Sequence, residues 1–233
     1  MKFTTLTFLT TVILFGVLVV PAHLAAQNAS AEIVVFDAPG ADTTAGSGNG
    51  TFPDSVNDAG AVTGHYTDAN NVNHGFLRSP EGEFTAFDAP GAGTTAGSGS
   101  GTFPDSINAA GAVTGHYTDG HNVNHGFLRS PGGKFTAFDA PGAGTNAGSG
   151  SGTFPNSIND AGAIAGHYTD GHNVNHGFLR SPGGRFTTFE APGASTTAGS
   201  GNGTFPKSIK NGGKITGNFA NANNANHGFL WIP

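Results

Sequence analysis

The chain has no cysteine, which excludes disulfides, thiolate chemistry and a lipid anchor carried on a cysteine. Charge is scarce as well: only 10% of the 233 residues are Asp, Glu, Lys or Arg. The formal net charge is -6, and lysines and arginines are nowhere clustered. Such a chain offers no electrostatic footprint for nucleic acid or for an anionic membrane surface, so neither is expected as a partner. Long hydrophobic runs are missing too, apart from one at the N-terminus.

That run extends from Leu6 to Val20, follows Lys2, and is succeeded by Pro21 and by the small residues Ala25, Ala26, Ala29, Ser30 and Ala31. It is too short to span a bilayer comfortably and has the size of a signal-peptide core. Residues 1–31 are therefore expected to be a signal peptide and cleavage region. Cleavage after Ala26 suits the distance from the apolar run, and cleavage after Ala31 suits the A-x-A rule. The mature protein is then secreted or periplasmic, with no membrane contact of its own.

What is abundant is glycine, with 39 residues, and phenylalanine, with 19. So much glycine suggests disorder, but the aromatics recur at fixed places, which a disordered chain has no use for. Phe-Asp-Ala-Pro-Gly begins at Phe36, Phe87 and Phe138, and Phe-Glu-Ala-Pro-Gly at Phe189, a step of 51 residues each time. Asn-His-Gly-Phe-Leu begins at Asn73, Asn124, Asn175 and Asn226 with the same step. Residues 32–233 thus read as one repeat domain of four 51-residue units.

Turn chemistry cuts each unit into four short strands. In the first unit, Asn57–Gly60 reads as a type I turn with glycine in the left-handed position. Asp68–Asn71 reads as the same turn with asparagine taking the positive φ, and Ser79–Gly82 as a turn with proline at its favoured place. The strands between are expected at 51–56, 61–67, 72–79 and 83–88, an antiparallel meander of the size of a propeller blade. Pro53, Pro104, Pro155 and Pro206 fall in the first strand, which should therefore be an edge lining a central channel. The last unit stops before its fourth strand, and residues 32–38 carry a spare copy of it. The expected fold is an all-β four-bladed propeller of four-stranded antiparallel blades, closed by that N-terminal strand and monomeric. Rival arrangements are a β-solenoid, whose coils are shorter than 51 residues, an open array of sheets, and a head-to-head assembly of two chains into a larger ring.

Three motifs carry a resemblance. Glycine-flanked His-x-Phe-Leu, the F-D-x-P-G strand end, and the stretch Ile158-Asn159-Asp160-Ala161-Gly162-Ala163-Ile164-Ala165-Gly166 resemble the bacterial extracellular HAF-repeat proteins across essentially all of residues 32–233. Every copy here is His-Gly-Phe, as at His125, where that family takes its name from His-Ala-Phe. The resemblance implies secretion and a propeller-like repeat; it implies no established activity.

Candidate chemistry is sparse. His74, His125, His176 and His227 form one four-fold set, and His65, His116 and His167 most of another, with Asn218 in the fourth place. Four symmetric imidazoles could hold a metal if they converged, although hydrogen bonding within and between blades explains them as well. Asp68, Asp119 and Asp170 faintly suggest calcium loops, but the alternating acidic spacing and the closing glutamate are missing, and a turn-capping role accounts for them. No cofactor is expected, calcium being the single candidate. Carboxylates for hydrolysis could come from Asp37, Asp88, Asp139 and Glu190, or from Asp54 and Asp105, whose counterparts are Asn156 and Lys207. No nucleophile-elbow sequence supports a Ser/His/Asp triad.

Symmetry is broken most in the last unit, which carries Lys207, Lys210, Lys214 and Trp231 and no acid from Thr204 onward. Those four residues are the ligand-binding candidates. The expectation is a secreted non-enzymatic repeat protein that binds a glycan or an extracellular protein, or has a cell-surface structural role. The alternatives are a propeller enzyme acting on polysaccharide and a self-assembling matrix protein.

Overall fold

The structure is a computed structural model that describes residues 31–98, 100–147 and 151–233. Residues 1–30 of the expected signal peptide and cleavage region, including the cleavage point after Ala26, lie outside the described residues, and the other expected cleavage point, after Ala31, falls where they begin. Residues 36–233 form one compact unit; residues 31–35 belong to a separate N-terminal unit and carry no strand or turn.

The compact unit is all-β, and among the described residues no helix occurs. The first repeat contains β1 (Gly50–Val56), β2 (Val62–Thr67), β3 (Asn73–Arg78) and β4 (Phe84–Phe87). The second contains β5 (Gly101–Ile107), β6 (Val113–Thr118), β7 (Asn124–Arg129) and β8 (Phe135–Phe138). The third contains β9 (Gly152–Ile158), β10 (Ile164–Thr169), β11 (Asn175–Arg180) and β12 (Phe186–Phe189). The fourth has β13 (Gly203–Ile209), β14 (Ile215–Ala220) and β15 (Asn226–Trp231).

Each repeat is an antiparallel meander with β1 or its counterpart at one edge; in the first, Phe52 faces His65, Gly64 faces Phe76 and Arg78 faces Phe84. The turns form with the expected backbone, glycine at positive φ in the first (Gly60, 87°) and asparagine in the second (Asn71, 59°). The prolines sit at a bulge: the register of β1 slips between Pro53 and Ser55, and β5 and β13 slip at the same place. The bulge drives the Phe52 carbonyl against Gly64, where a Cβ would meet that oxygen at 2.1 Å. Only glycine fits opposite such a bend, and Gly115, Gly166 and Gly217 repeat the arrangement.

Neighbouring repeats meet at a junction made three times from the same parts. A single parallel bridge pairs Asn73 with Gly101, Asn124 with Gly152 and Asn175 with Gly203. The Asn57 Nδ2 donates to the Asn108 carbonyl at 3.1 Å, Asn108 to Asn159, and Asn159 to Lys210 at the same distance. Ile107, Ile158 and Ile209 donate their N–H groups to Ser55, Ser106 and Ser157 of the preceding repeat. The core lies in these junctions: Ala89, Ile107, Val113, Tyr117 and Phe127 of the second repeat take Ala61, Leu77 and Phe87 from the first. Fully burying one such large apolar side chain is worth about 1.5–3 kcal/mol, so each junction is a substantial share of the stability.

Arginine closes the outer side of the junction. Arg78, Arg129 and Arg180 lay their guanidinium groups over Phe36, Phe87 and Phe138, 4.6–4.9 Å from the ring centres. Arg129 and Arg180 are buried, with Nε and Nη1 meeting no hydrogen-bond partner among the described residues, so the π faces are their compensation. Desolvation lowers both guanidinium pKa values.

The sheet runs from β1 to β15 without joining its ends, so the closed ring expected from the sequence is not formed in this structure. The residues expected to close it, 32–38, are no strand here, and among the described residues β15 pairs with β14 alone. The end faces are consequently bare. Ile107, Ile158 and Ile209 are 6%, 6% and 4% exposed, whereas their counterpart Val56 is 64% exposed. At the other end Leu230 and Ile232 are 62% and 63% exposed.

Candidate functional site

The turns that follow the innermost strands of all four repeats surround one cavity of about 210 Å³, open to solvent. Each repeat contributes three consecutive residues: 56–58, 107–109, 158–160 and 209–211. They arrive together because the first strand of each repeat ends in an apolar residue followed by Asn in the first three repeats and by Lys210 in the fourth, and the turns are bonded to one another from repeat to repeat. Ile107, Ile158 and Ile209 are buried while Val56 is exposed, and the residues that follow, Ala109 apart, build a polar rim.

Most of that rim is already satisfied. Asn57, Asn108 and Asn159 each accept the N–H of Ala61, Ala112 or Ala163 within their own turn and donate to the next repeat. Asp160 accepts from the Ala109 N–H at 2.9 Å and from the Asn211 amide at 2.7 Å, which holds its carboxyl below the usual range. Two groups differ. The Asp58 carboxylate and the Lys210 ammonium are exposed and make no hydrogen bond or ion pair among the described residues. The cavity therefore presents one anion and one cation, from the first and the fourth repeat, on a rim of bonded amides.

Of the four residues singled out in the last unit, Lys210 alone lines this cavity. Lys207 sits over the Phe205 ring at 5.8 Å, and Lys214 is exposed. Trp231 stacks on Phe189 at 5.7 Å and 19°, in the place where the other repeats set an arginine on a phenylalanine. Asp58 was missed as a ligand group because its turn explains it locally. The column Asp58, Ala109, Asp160, Asn211 does break the repeat symmetry, and that was the available signal.

The metal candidates are held otherwise. His74 stacks on Tyr66, with Nδ1 2.9 Å from Asp88 and Nε2 3.7 Å from Asp68. His125 stands likewise between Asp139 and Asp119, and His176 between Glu190 and Asp170. Both ring nitrogens face carboxylates, so neither presents a free lone pair outward. His227 stacks on Phe219 and meets the Asn221 amide. Asp68, Asp119 and Asp170 cap their own turns, each accepting two N–H groups through Oδ1. Burial raises these carboxyls, but the backbone N–H donors and the facing histidines outweigh it and leave them below the ordinary value. Among the described residues no group of three or more His, Asp or Glu is arranged to hold a metal ion.

The second histidine set lies between repeats. His65 and His116 stack on Phe52 and Phe103, and their Nδ1 atoms stand 3.3 and 3.2 Å from Asp54 and Asp105. His167 is sandwiched by Phe154 at 4.9 Å and Phe205 at 5.3 Å, but it faces the Asn156 amide instead of a carboxylate. Desolvation, then the Lys207 charge and that of His116, lower its pKa to about 3.

Among the described residues no helix is long and apolar enough to cross a membrane. Compared with protein-family models and with curated proteins, the chain matches none.

Proposed function

We propose that this chain is an exported β-propeller repeat protein, four blades per chain, that binds a small polar ligand in the cavity ringed by its inner turns. A sugar unit of a glycan is the ligand class that suits it. The observation carrying this reading is the pair Asp58 and Lys210, both without a partner among the described residues, on a rim whose other polar groups are bonded already. Rigid amides with a few free polar groups fix the orientation of a neutral hydroxylated ligand without the cost of desolvating a dense charge cluster. Export rests on residues 1–31, and the kinship with HAF-repeat proteins on the repeated motifs; both support an extracellular or periplasmic site of action. The role is binding, with no catalytic pair assigned.

The test is a thermal-shift screen of the mature protein against soluble glycans and divalent cations, with and without chelator, because a ligand of the native state raises the melting temperature by mass action. The expected result is a glycan shift that Asp58→Asn and Lys210→Ala each remove. A shift that requires calcium or zinc and disappears with chelator overturns the assignment of the histidines and turn aspartates as structural. A flat response to every glycan overturns the small-ligand reading in favour of a protein partner.

A further inference from the structure

The three interior junctions define what a fourth would need, and the two ends of the chain hold its halves. We propose that the face of the fourth repeat docks head-to-tail on the face of the first repeat of a second copy of this chain. The proposal rests on the propeller-blade reading above but not on a ligand in the cavity.

The fit follows position by position. Leu77 and Leu128 pack into the core of the next repeat, and their counterpart Leu230 is 62% exposed with nothing to enter. The core it matches is that of the first repeat, where Val62 and Phe76 pack but Val56 is left outside. A groove of about 390 Å³, lined by Phe36, Pro53, Val56 and Val62, lies open there. Ser55, Ser106 and Ser157 each take the N–H of the following isoleucine; Ser208 and the Val56 of a second copy are the remaining pair.

A strand on the free edge of β15 fits as well. In the third repeat β12 pairs with β11 as Phe189 with Gly177, Thr188 with Phe178, Thr187 with Leu179 and Phe186 with Arg180. The same register on β15 places Phe36, Val35, Val34 and Ile33 of the second copy opposite Gly228, Phe229, Leu230 and Trp231. Ile33 and Val35 are 89% and 86% exposed, as an unpaired strand would be. Gly75, Gly126 and Gly177 lie under a phenylalanine ring, within 2.4–2.9 Å of where a Cβ would be. Over Gly228 that slot is empty, its nearest neighbour being the Gly217 carbonyl at 4.0 Å. Phe36 of the partner is the ring that fills it.

Charge agrees in sign. The fourth repeat carries the exposed Lys207 and Lys214, and Asp54 lines the groove on the first repeat. In the third junction Asn156 bonds the Pro206 carbonyl, so this position reaches the proline of the next repeat. Lys207 holds that position in the fourth repeat and meets Pro53 and Asp54 of the partner.

A second copy is the occupant, and not the other end of the same chain, because three junctions of one make already carry the sheet from β1 to β15 and leave the ends apart. The junction is also directional, each asparagine donating forward, so the contact is head-to-tail and not two-fold symmetric.

The mature protein, secreted by its expression host from the full chain, is to be weighed by light scattering and native mass spectrometry across nanomolar to micromolar concentration. Multimers that grow with concentration or persist as one closed species are expected; a monomer throughout overturns the proposal. Leu230→Asp disables one face and Val56→Arg the other, at positions exposed in the single chain. Each alone should be monomeric with unchanged strand circular dichroism, and the 1:1 mixture should give a dimer that grows no further. A mixture that stays monomeric, or variants that still multimerise, overturns it too. Should either variant fail to fold, Lys207→Asp and Asp54→Lys form the second pair: each weakens assembly alone, and mixing them restores it. Glycan shifts measured on the monomeric Leu230→Asp protein separate the fate of this proposal from that of the cavity.

Discussion

The second repeat and the first have nearly the same sequence, yet the isoleucine at the end of β5 is buried while the valine at the end of β1 stands in solvent. What differs is a neighbour on the preceding side. Phe76 of the first repeat is fully buried with Phe36 and Phe84 around it, but burial at the end of the first strand is a property of the junction, and those contributions add up from junction to junction. The histidines teach the same lesson in charge: His116 faces Asp105, while His167, in the same pocket one repeat later, faces Asn156 and the Lys207 ammonium.

The largest test of this contrast is a pair of truncations. Ile158→Ala, at a made junction, should cost about 2–5 kcal/mol in urea unfolding, the usual range for emptying a packed aliphatic site. Val56→Ala, at an unmade one, should cost less than about 0.5 kcal/mol in the single chain. Equal losses would mean that the first repeat is covered in solution. A smaller contrast is expected for glycine. Gly126→Ala puts a methyl 2.5 Å from the Phe138 ring and should cost about 1–3 kcal/mol, whereas Gly228→Ala has open space and should be close to neutral.

The smallest effect is in pH. The native His167 pKa, about 3, lies below that of an unfolded histidine near 6.5, so between those values the unfolded chain binds the extra proton. Stability should therefore rise with pH across that window and fall as pH drops through it. Asn156→Asp supplies the carboxylate that His116 enjoys and should flatten the slope of melting temperature against pH between about 4 and 6.5. An unchanged slope would remove His167 as its source. Below about pH 4 the turn-capping Asp68, Asp119 and Asp170, held below their ordinary values, add a second loss in the same direction.

The strands and turns were legible in the sequence because their causes are local. Gly60 and Asn71 take the positive φ that their turns demand; the proline strands β5, β9 and β13, expected as edges, each hold a single parallel bridge to the preceding repeat, and the bulge at the proline was not read from the sequence. Ring closure was not legible. It depends on the rotation accumulated over three junctions, which no residue of residues 32–38 encodes, and the structure leaves the ends apart. The candidate site was half legible. Lys210 stood out as a break in the repeat, while Asp58 passed as an ordinary turn residue, because its meaning comes from three other turns 51 residues apart in sequence. Trp231 stood out for its chemistry, and the stack on Phe189 gives it a place in the packing.

The buried guanidinium groups have one more consequence. Among the described residues Arg129 and Arg180 are held by aromatic faces with no carboxylate alongside, so the first two junctions have no ion pair at this place for dissolved salt to screen, and at the third the Trp231 ring stacks on Phe189 instead. A seam built this way keeps its strength from dilute to brackish surroundings.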